Sequence, residues 1–439
     1  MAHPKDRSGL TRRQVLRGAA GSAIGLSAAG LLAGCENTTT PLGVGGGPTS
    51  AASKLVVQKP LGPGGLPLPR PDNAVTWAIT PENEPIKDGK PVERGPLRAY
   101  NYANYIDPAT VKKFEDQYHT SVQIATYNSA DEAIAKLAAG AVAFDVIIGL
   151  AGSNIVDLIA HKLLQPLNHS YLPNLSKNIW PDLQDPFYDR GDRYTVPYTV
   201  WSDGIGWRND KVSEDIPSMP VPWDIFWHSQ QYRGLVGLLD DKRDALAMPM
   251  QRDAMRTGIR PDLNTEDKTI IDNAEHELSQ LTSICNIKVT ITDFQTLPEG
   301  KTVLHHSWSG DLLAGAFYYM PKGVKPSVLS YWGPKANGVV QNDFFCIGRT
   351  AKSPVLAHAF LNFFLDETNA YNNFINYNGY APPQNGIDAE ALIKRGLIPK
   401  TLTEALVRPD QFAANQELLQ LSVEGERLWD DAWSRFKAG

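Results

Sequence analysis

Residues 107–148 read DPATVKKFEDQYHTSVQIATYNSADEAIAKLAAGAVAFDVII. Asp107 is placed to N-cap a helix with Pro108 at its first position, and Val111, Phe114 and Tyr118 form the apolar stripe of that helix. Val122–Thr126 reads as a strand. Ser129 and Glu132 then make a capping box for a second helix, which carries Ile134 and Leu137 and closes at Gly140. Phe144–Ile148 is a largely apolar run of the kind buried on both faces in a parallel sheet. Strand and helix therefore alternate, which is the signature of an α/β protein. A further helix is expected through Ile155, Leu158 and Leu163, and no internal repeat is found. The alternation begins near Ala74, resumes around Gly234–Leu239, and returns from Lys352 to Leu365. Two α/β lobes are the economical reading, with a ligand expected at strand C-terminal ends or between the lobes.

The composition agrees with a folded, globular chain. Its 439 residues are 42% hydrophobic and 21% charged, which excludes disordered, collagenous and coiled-coil classes. The formal net charge is −6. Lys5, Arg7, Arg12, Arg13 and Arg17 carry the positive charge of the first 34 residues, and the remainder stands at −10. That body offers nucleic acid no basic surface and favours cations as partners.

The N-terminus reads as an address. Arg12-Arg13 precede a short stretch rich in Gly and Ala that ends at Gly34, the pattern of a twin-arginine export signal over residues 1–34. An uncleaved anchor helix is the alternative, but the stretch is weakly hydrophobic and at the lower limit of what spans a bilayer. Leu32-Ala33-Gly34-Cys35 resembles the bacterial lipobox, which implies lipid attachment at Cys35 and anchoring to the outer face of the cytoplasmic membrane. Acyl chains hold a protein there at about 0.8 kcal/mol per buried methylene. Residues 35–73 are rich in Thr, Gly and Pro and are expected to form a flexible leash. Cys285 and Cys346 remain; they can pair in an oxidising compartment or sit as ordinary buried thiols, and the sequence leaves both open.

No nucleophile elbow, phosphate-cradling loop or zinc helix is present. His305-His306 sit on an expected strand, where neighbouring side chains point to opposite faces, so a shared metal is not expected. Asp182, Asp185, Asp189 and Asp192 lack calcium-loop spacing and read as a solvated turn. What remains is aromatic rings beside carboxylates, at loops and element ends. Tyr102, Asn104 and Tyr105 precede the Asp107 cap; Asp241 and Asp244 follow an apolar strand, three residues apart on one face of a starting helix. Trp308 ends a strand-like run, Asp343 follows Val339-Val340, and Tyr380 precedes Ala381-Pro382-Pro383. Carboxylates fix an ammonium by charge-assisted hydrogen bonds of about 1.5–3 kcal/mol each, and aromatic faces add roughly 0.5–2 kcal/mol per cation–π contact. Each residue alone has a plainer role: Asp241 and Asp244 suit a helix N-terminus, and the rings suit a core.

From about residue 99 to the C-terminus the sequence resembles the spermidine/putrescine-binding proteins of ABC importers. The resemblance is carried by Asn101-Tyr102-Ala103-Asn104-Tyr105, Phe144-Asp145-Val146-Ile147-Ile148, Tyr194-Thr195-Val196-Pro197-Tyr198, Trp223-Asp224-Ile225-Phe226-Trp227, Asp240-Asp241-Lys242-Arg243-Asp244, Trp308, Asp343 and Gly379-Tyr380-Ala381-Pro382. It implies a two-lobed periplasmic-binding-protein fold with hinge crossings near Trp201 and Gln341. One lobe would comprise residues 74–201 and 342–388, the other 202–341 and 389–439. It also implies an aromatic wall of Tyr102, Tyr105, Trp308 and Tyr380, with Asp241, Asp244 and Asp343 as amine-binding acids. Asn104 stands where the family's spermidine binder has a glutamate, and Gln341 where it has a tryptophan. The loop after Ile148 lacks the family's serine and tyrosine, and a ligand-contacting glutamine falls on Leu419.

The expectation is thus a monomeric, lipid-anchored receptor for a polyamine, working with a permease and an ATPase and needing no cofactor. A receptor for another organic cation or zwitterion (betaine-, choline- or amino-acid-like) is the nearest alternative, since the far-end glutamate is lost at Asn104. An anchored hydrolase using Asp241 and Asp244 is the other, but two carboxylates on one helical turn are too close to flank a scissile bond.

Overall fold

The first strand, β1 (Leu97–Tyr102), runs into a turn whose last residue, Asp107, caps helix α1 (Pro108–Tyr118) by accepting from the backbone N–H groups of Ala109 and Thr110. These are coordinates of a computed structural model that describes residues 60–439. The export signal, Cys35 and the leash up to residue 59 lie outside the described residues. Strand β2 (Val122–Tyr127), helix α2 (Ala130–Ala138), capped by Ser129, and strand β3 (Val146–Ala151) follow as expected. β1 lies between β2 and β3 and is parallel to both. The third strand begins at Val146 because Asp145 is diverted: its fully buried carboxylate accepts from the backbone and guanidinium of Arg98 and from Lys352 N. The next helix spans Ile155–Ala160 and stops short of Leu163, since Lys162 turns into left-handed backbone.

Strand β4 (Thr195–Arg208) is fourteen residues long and buried throughout. After it come β5 (Val236–Leu238), helix α3 (Lys242–Thr257), β6 (Lys288–Val289), β7 (Leu304–Trp308), helix α4 (Ser309–Ala314), β8 (Leu329–Trp332), β9 (Val339–Ile347) and β10 (Gln416–Glu417). The strand order is β2-β1-β3-β9-β4-β7-β5-β6, with β8 on β4 and β10 on β9. β4 joins the two halves of this order. From Thr195 to Ser202 it pairs with β9, and from Asp203 to Arg208 with β7 and β8, antiparallel in each case. Trp201 and Gln341 are direct register partners at the point where it passes from one half to the other.

The core is continuous through both halves, with a smaller cluster around Tyr100, Tyr127, Phe144 and Trp77. Residues 60–73, read from composition as part of the leash, carry Leu68 at 5% exposure, and a β-carbon on Gly62 would meet Leu68 and Val156. Gly and Pro content thus marks a packed turn here and not a free tether. Half of the acidic run departs from the solvated turn expected for it: Asp182 and Asp185 are exposed, but the other two acids are not. Asp189 is fully buried and accepts from Tyr194 N, Thr195 N and the Thr195 hydroxyl; Asp192 is 9% exposed and accepts from Asp185 N. Burial pushes both carboxyls up to about 6. Cys285 and Cys346 are free and buried, the second of the two readings. No helix among the described residues is long and apolar enough to cross a membrane.

Candidate functional site

Helix α3 sets the first acid. Arg252, in its third turn, pairs with Asp224 at 2.6 Å and Glu277 at 2.7 Å and lies over the Trp227 ring, which fixes the helix against the short turn Asp224–Trp227. Asp241 is the N-cap, accepting from Arg243 N at 2.8 Å and Asp244 N at 3.3 Å, so the plainer of its two roles is realised. Asp244 stands at the third helical position, 3% exposed, and accepts from Trp308 Nε1 at 3.3 Å. Burial, then the neighbouring acids Asp203 and Asp241, push its carboxyl well above the usual range.

From Trp308 a chain of contacts leads to the second acid. Trp308 packs on Trp201, ring centres 5.5 Å apart, and Trp201 Nε1 donates to Asp343 Oδ1 at 3.3 Å. The Tyr105 hydroxyl donates to Asp343 Oδ2 at 2.6 Å and also meets the Thr199 hydroxyl. Desolvation lifts Asp343 to about 6 against the opposing pull of these two donors. The Tyr105 ring stands edge-on to Tyr380 at 5.0 Å, and the Tyr380 hydroxyl donates to Asp311 Oδ1 at 2.9 Å. Tyr102 lies 6.0 Å from Tyr105 and is half-buried; burial and then Asp311, Asp241, Asp343 and Asp244 raise its phenol well above the ordinary value. Acid and aromatic pair thus alternate: Asp244, Trp308–Trp201, Asp343, Tyr105–Tyr380, Asp311.

Two glycines make room for the rings. Gly149 has φ +88°, and a β-carbon there would stand 2.7 Å from the Tyr105 ring and 3.2 Å from Tyr102. It sits at a bulge between Ile148 and Leu150 in the pairing of β3 with β9, so the segment expected as a loop after Ile148 continues the strand to Ala151. A β-carbon on Gly310 would come within 2.4 Å of the Tyr380 ring.

The structure therefore brings Tyr102, Tyr105, Asp244, Trp308, Asp343 and Tyr380 into one linked set. Asp241 borders it and acts on its electrostatics. Gln341 is buried and donates to Leu418 O, away from the set, while its own oxygen meets no donor. Asn104 is exposed in left-handed backbone at φ 61°, a conformation Asn tolerates, and contributes no charge. Trp201, Thr199 and Asp311 belong to the set but were not among the residues singled out from sequence. Trp201 appeared there only as a crossing point; Asp311, three residues after Trp308, carries no distinguishing spacing. His305 and His306 turn to different surroundings, His305 against Gly237 and His306 against Trp223.

What the arrangement can do follows from charge. Neither Asp244 nor Asp343 pairs with Lys, Arg or His among the described residues; both are held by neutral aromatic donors. Buried carboxylates so placed lack a compensating cation. The aromatic faces between them suit an apolar chain or a cation.

Comparison with known proteins agrees. Residues 109–399 match the model of the bacterial extracellular solute-binding protein family. A putrescine/cadaverine-binding protein of Pseudomonas aeruginosa is 27% identical over 356 residues, covering 78% of this chain and 93% of that protein. The spermidine/putrescine-binding periplasmic protein of Escherichia coli is 25% identical over 350 residues, covering 78% and 92%. A solved structure of a spermidine/putrescine ABC transporter substrate-binding protein from Streptococcus pneumoniae superposes with a TM-score of 0.62 at 22% identity, covering 78% of this chain and 98% of that one. The two-lobed α/β fold expected from sequence is the fold these structures share.

Proposed function

Because the chain belongs to the bacterial extracellular solute-binding proteins, which are not enzymes, we propose that it is the receptor of an ABC importer for an organic diamine or polyamine. The observation that carries the proposal is that buried Asp244 and Asp343, neither paired with Lys, Arg or His among the described residues, alternate with aromatic pairs. In this reading Asp244, with Asp241 beside it, and Asp343 each take an ammonium group, while Trp308, Trp201, Tyr102, Tyr105 and Tyr380 line the methylenes between. The ligands named for the two Pseudomonas and Escherichia relatives support that class. The lobes are those of the sequence reading, residues 74–201 with 342–388 and residues 202–341 with 389–439. The hinge is the paired crossing at Trp201 and Gln341, where closing would bring the Asp244 and Asp343 sides together around the ligand. The closed form is what a membrane permease with its ATPase would read, and only a ligand with higher affinity for that form shifts the population toward it. The chain works as a monomer held at the outer face of the cytoplasmic membrane by a lipid on Cys35.

Association and ordering cancel much of the contact energy, so an affinity near micromolar, about −8 kcal/mol, is expected. Calorimetric titration of the ligand-stripped protein with putrescine, cadaverine, spermidine, spermine, γ-aminobutyrate and glycine betaine tests this. Saturable binding of one di- or polyamine is the expected result. Silence of all the amines at millimolar concentration refutes it, and binding of betaine alone assigns the site to a single cationic centre.

A further inference from the structure

Behind Asp244 lies an acid that the contacts described so far do not use. Asp203 is the first residue of β4 on the β7 side of the crossing, paired in register with Trp308, and its side chain is fully buried. Asp244 accepts from Nε1 of that same Trp308, so the two acids flank one residue, and each acts on the other's ionisation. Neither oxygen of Asp203, nor Oδ1 of Asp244, meets an N–H or O–H donor in the described structure. The titratable and charged neighbours are few. From β7, His306 Nε2 stands 3.4 Å from Asp203 Oδ2, longer than a good hydrogen bond. From β8, the Tyr331 hydroxyl donates to Ser202 O and not to the acid. From α3 come Asp241, whose charge adds to the repulsion, and Arg243, whose guanidinium is spent on Leu419 O, Leu263 O and Asn264.

Two neighbouring buried carboxylates whose oxygens meet no donor repel strongly when both are bare, and one proton held between them relieves that repulsion and supplies the missing hydrogen bond. We propose that Asp203 and Asp244 hold one proton between them in the empty receptor, and that a bound ammonium N–H takes its place, so that Asp203 selects N–H cations over quaternary ones. This inference rests on the amine reading given above. Charge balances simply. The shared proton leaves for water and the pair passes from one negative charge to two. The ammonium brings one positive charge and donates a hydrogen bond to the freed Asp244 oxygen. A quaternary ammonium brings the charge but no donor; displacing the proton would leave the two carboxylates facing each other with no hydrogen bond, so the proton stays in place. Asp203 in this role is a positioning residue: it acts on the ligand through Asp244. Burial raises both carboxyls above their ordinary values, in the direction the shared proton requires.

The test uses the full chain, first without ligand. Infrared spectra in D2O at about pH 7.5, above the range in which an ordinary carboxyl keeps a proton, should show a protonated-carboxyl C=O band that loses intensity in both Asp203→Asn and Asp244→Asn, over the background that buried Glu417, raised to about 7, contributes in all three. A wild-type spectrum without that band, or a band of undiminished intensity in both variants, overturns the inference whatever the ligand proves to be. Saturating putrescine or spermidine should then remove the same intensity, while choline and glycine betaine leave it in place. Calorimetry in buffers of differing ionisation enthalpy should read close to one proton released per amine bound to wild type, and close to none for Asp203→Asn. Persistence of that intensity with amine bound, or equal proton release from wild type and variant, refutes the exchange. Should no amine bind, the functional proposal falls, and the empty-chain band alone decides whether the pair holds a proton.

Discussion

Replacing Asp343 by Asn should weaken amine binding and stabilise the protein at the same time. The structure gives both magnitudes. Asp343 is 8% exposed, and desolvation raises its carboxyl from an ordinary 3.8 to about 6. A gap of about two pH units is about 3 kcal/mol. For an acid whose folded value is raised, the folded state holds the proton longer than the unfolded chain does. Stability therefore falls as pH climbs from about 4 to about 6 and stays reduced above that. Asn carries no charge and removes this cost. Its amide fits the same contacts, with the oxygen toward Trp201 Nε1 and the nitrogen toward the Tyr105 hydroxyl, which can accept while it donates to Thr199. At pH 7.5 the variant should gain up to about 3 kcal/mol in denaturant unfolding, and below pH 4 the gain should vanish. The same change deletes a charge-assisted contact of about 1.5–3 kcal/mol to the ligand, so affinity should drop by about tenfold to a hundredfold. Wild-type affinity should itself decline below about pH 6, as Asp343 gains its proton, and the variant should lack that step. Unfolding curves and calorimetric titrations across this range read both effects. An unchanged affinity would remove Asp343 from the site, and a variant less stable than wild type at pH 7.5 would refute the burial argument.

Three further substitutions probe the supports of the site. Trp201→Phe keeps a ring against Trp308 but loses the Nε1 donor to Asp343, so binding should weaken by roughly five- to tenfold, about 1 kcal/mol. The acid step in the pH profile of affinity should move upward with it. Gly149→Ala combines left-handed backbone with a β-carbon 2.7 Å from the Tyr105 ring, whereas Gly396→Ala has the same backbone sign and open space around it. Both should lose about 1–3 kcal/mol to strain, but only Gly149→Ala should also lose amine binding. Asp241→Asn preserves a helix cap and removes a charge, while Asp241→Ala removes both. If Asp241 serves the ligand, both weaken binding and only the alanine variant costs about 1 kcal/mol in stability; equal affinity for wild type and Asp241→Asn would leave it a cap alone.

Much of the first half of the fold was legible because its signals are local. Asp107 with Pro108, and Ser129 ahead of Ala130–Ala138, cap the helices they were expected to cap. The run ending at Ile148 enters a buried strand, parallel to β1 on one side but antiparallel to β9 on the other. Misreadings came where composition stood in for contacts. Leu68 lies within a stretch of Gly and Pro, but it is buried, and the backbone of Gly62 passes close to both Leu68 and Val156, which docks the segment. Asp189 and Asp192 looked solvated because charge usually is. Their partners are backbone N–H groups of Tyr194, Thr195 and Asp185, and no spacing rule foretells those.

The site shows the same division more sharply. Tyr105, Asp244, Trp308 and Tyr380 could be named from sequence because each lies near the end of an element that sequence can find, whereas Asp343, inside buried β9, rested on the family resemblance. Trp201 and Asp203 could not, for they sit inside β4, whose fourteen residues are buried from end to end and alternate nothing. A strand of that kind would ordinarily carry apolar residues on both faces. Thr199, Trp201 and Asp203 share one face of it by the two-residue period: Trp201 donates to Asp343, Thr199 meets the Tyr105 hydroxyl that also donates to Asp343, and Asp203 acts on the ionisation of Asp244. The strand that joins the two halves of the sheet therefore also carries the groups that hold both acids. A change at the crossing cannot leave either acid untouched, which is why substitutions on this face of β4 should couple binding at the two ends of the ligand.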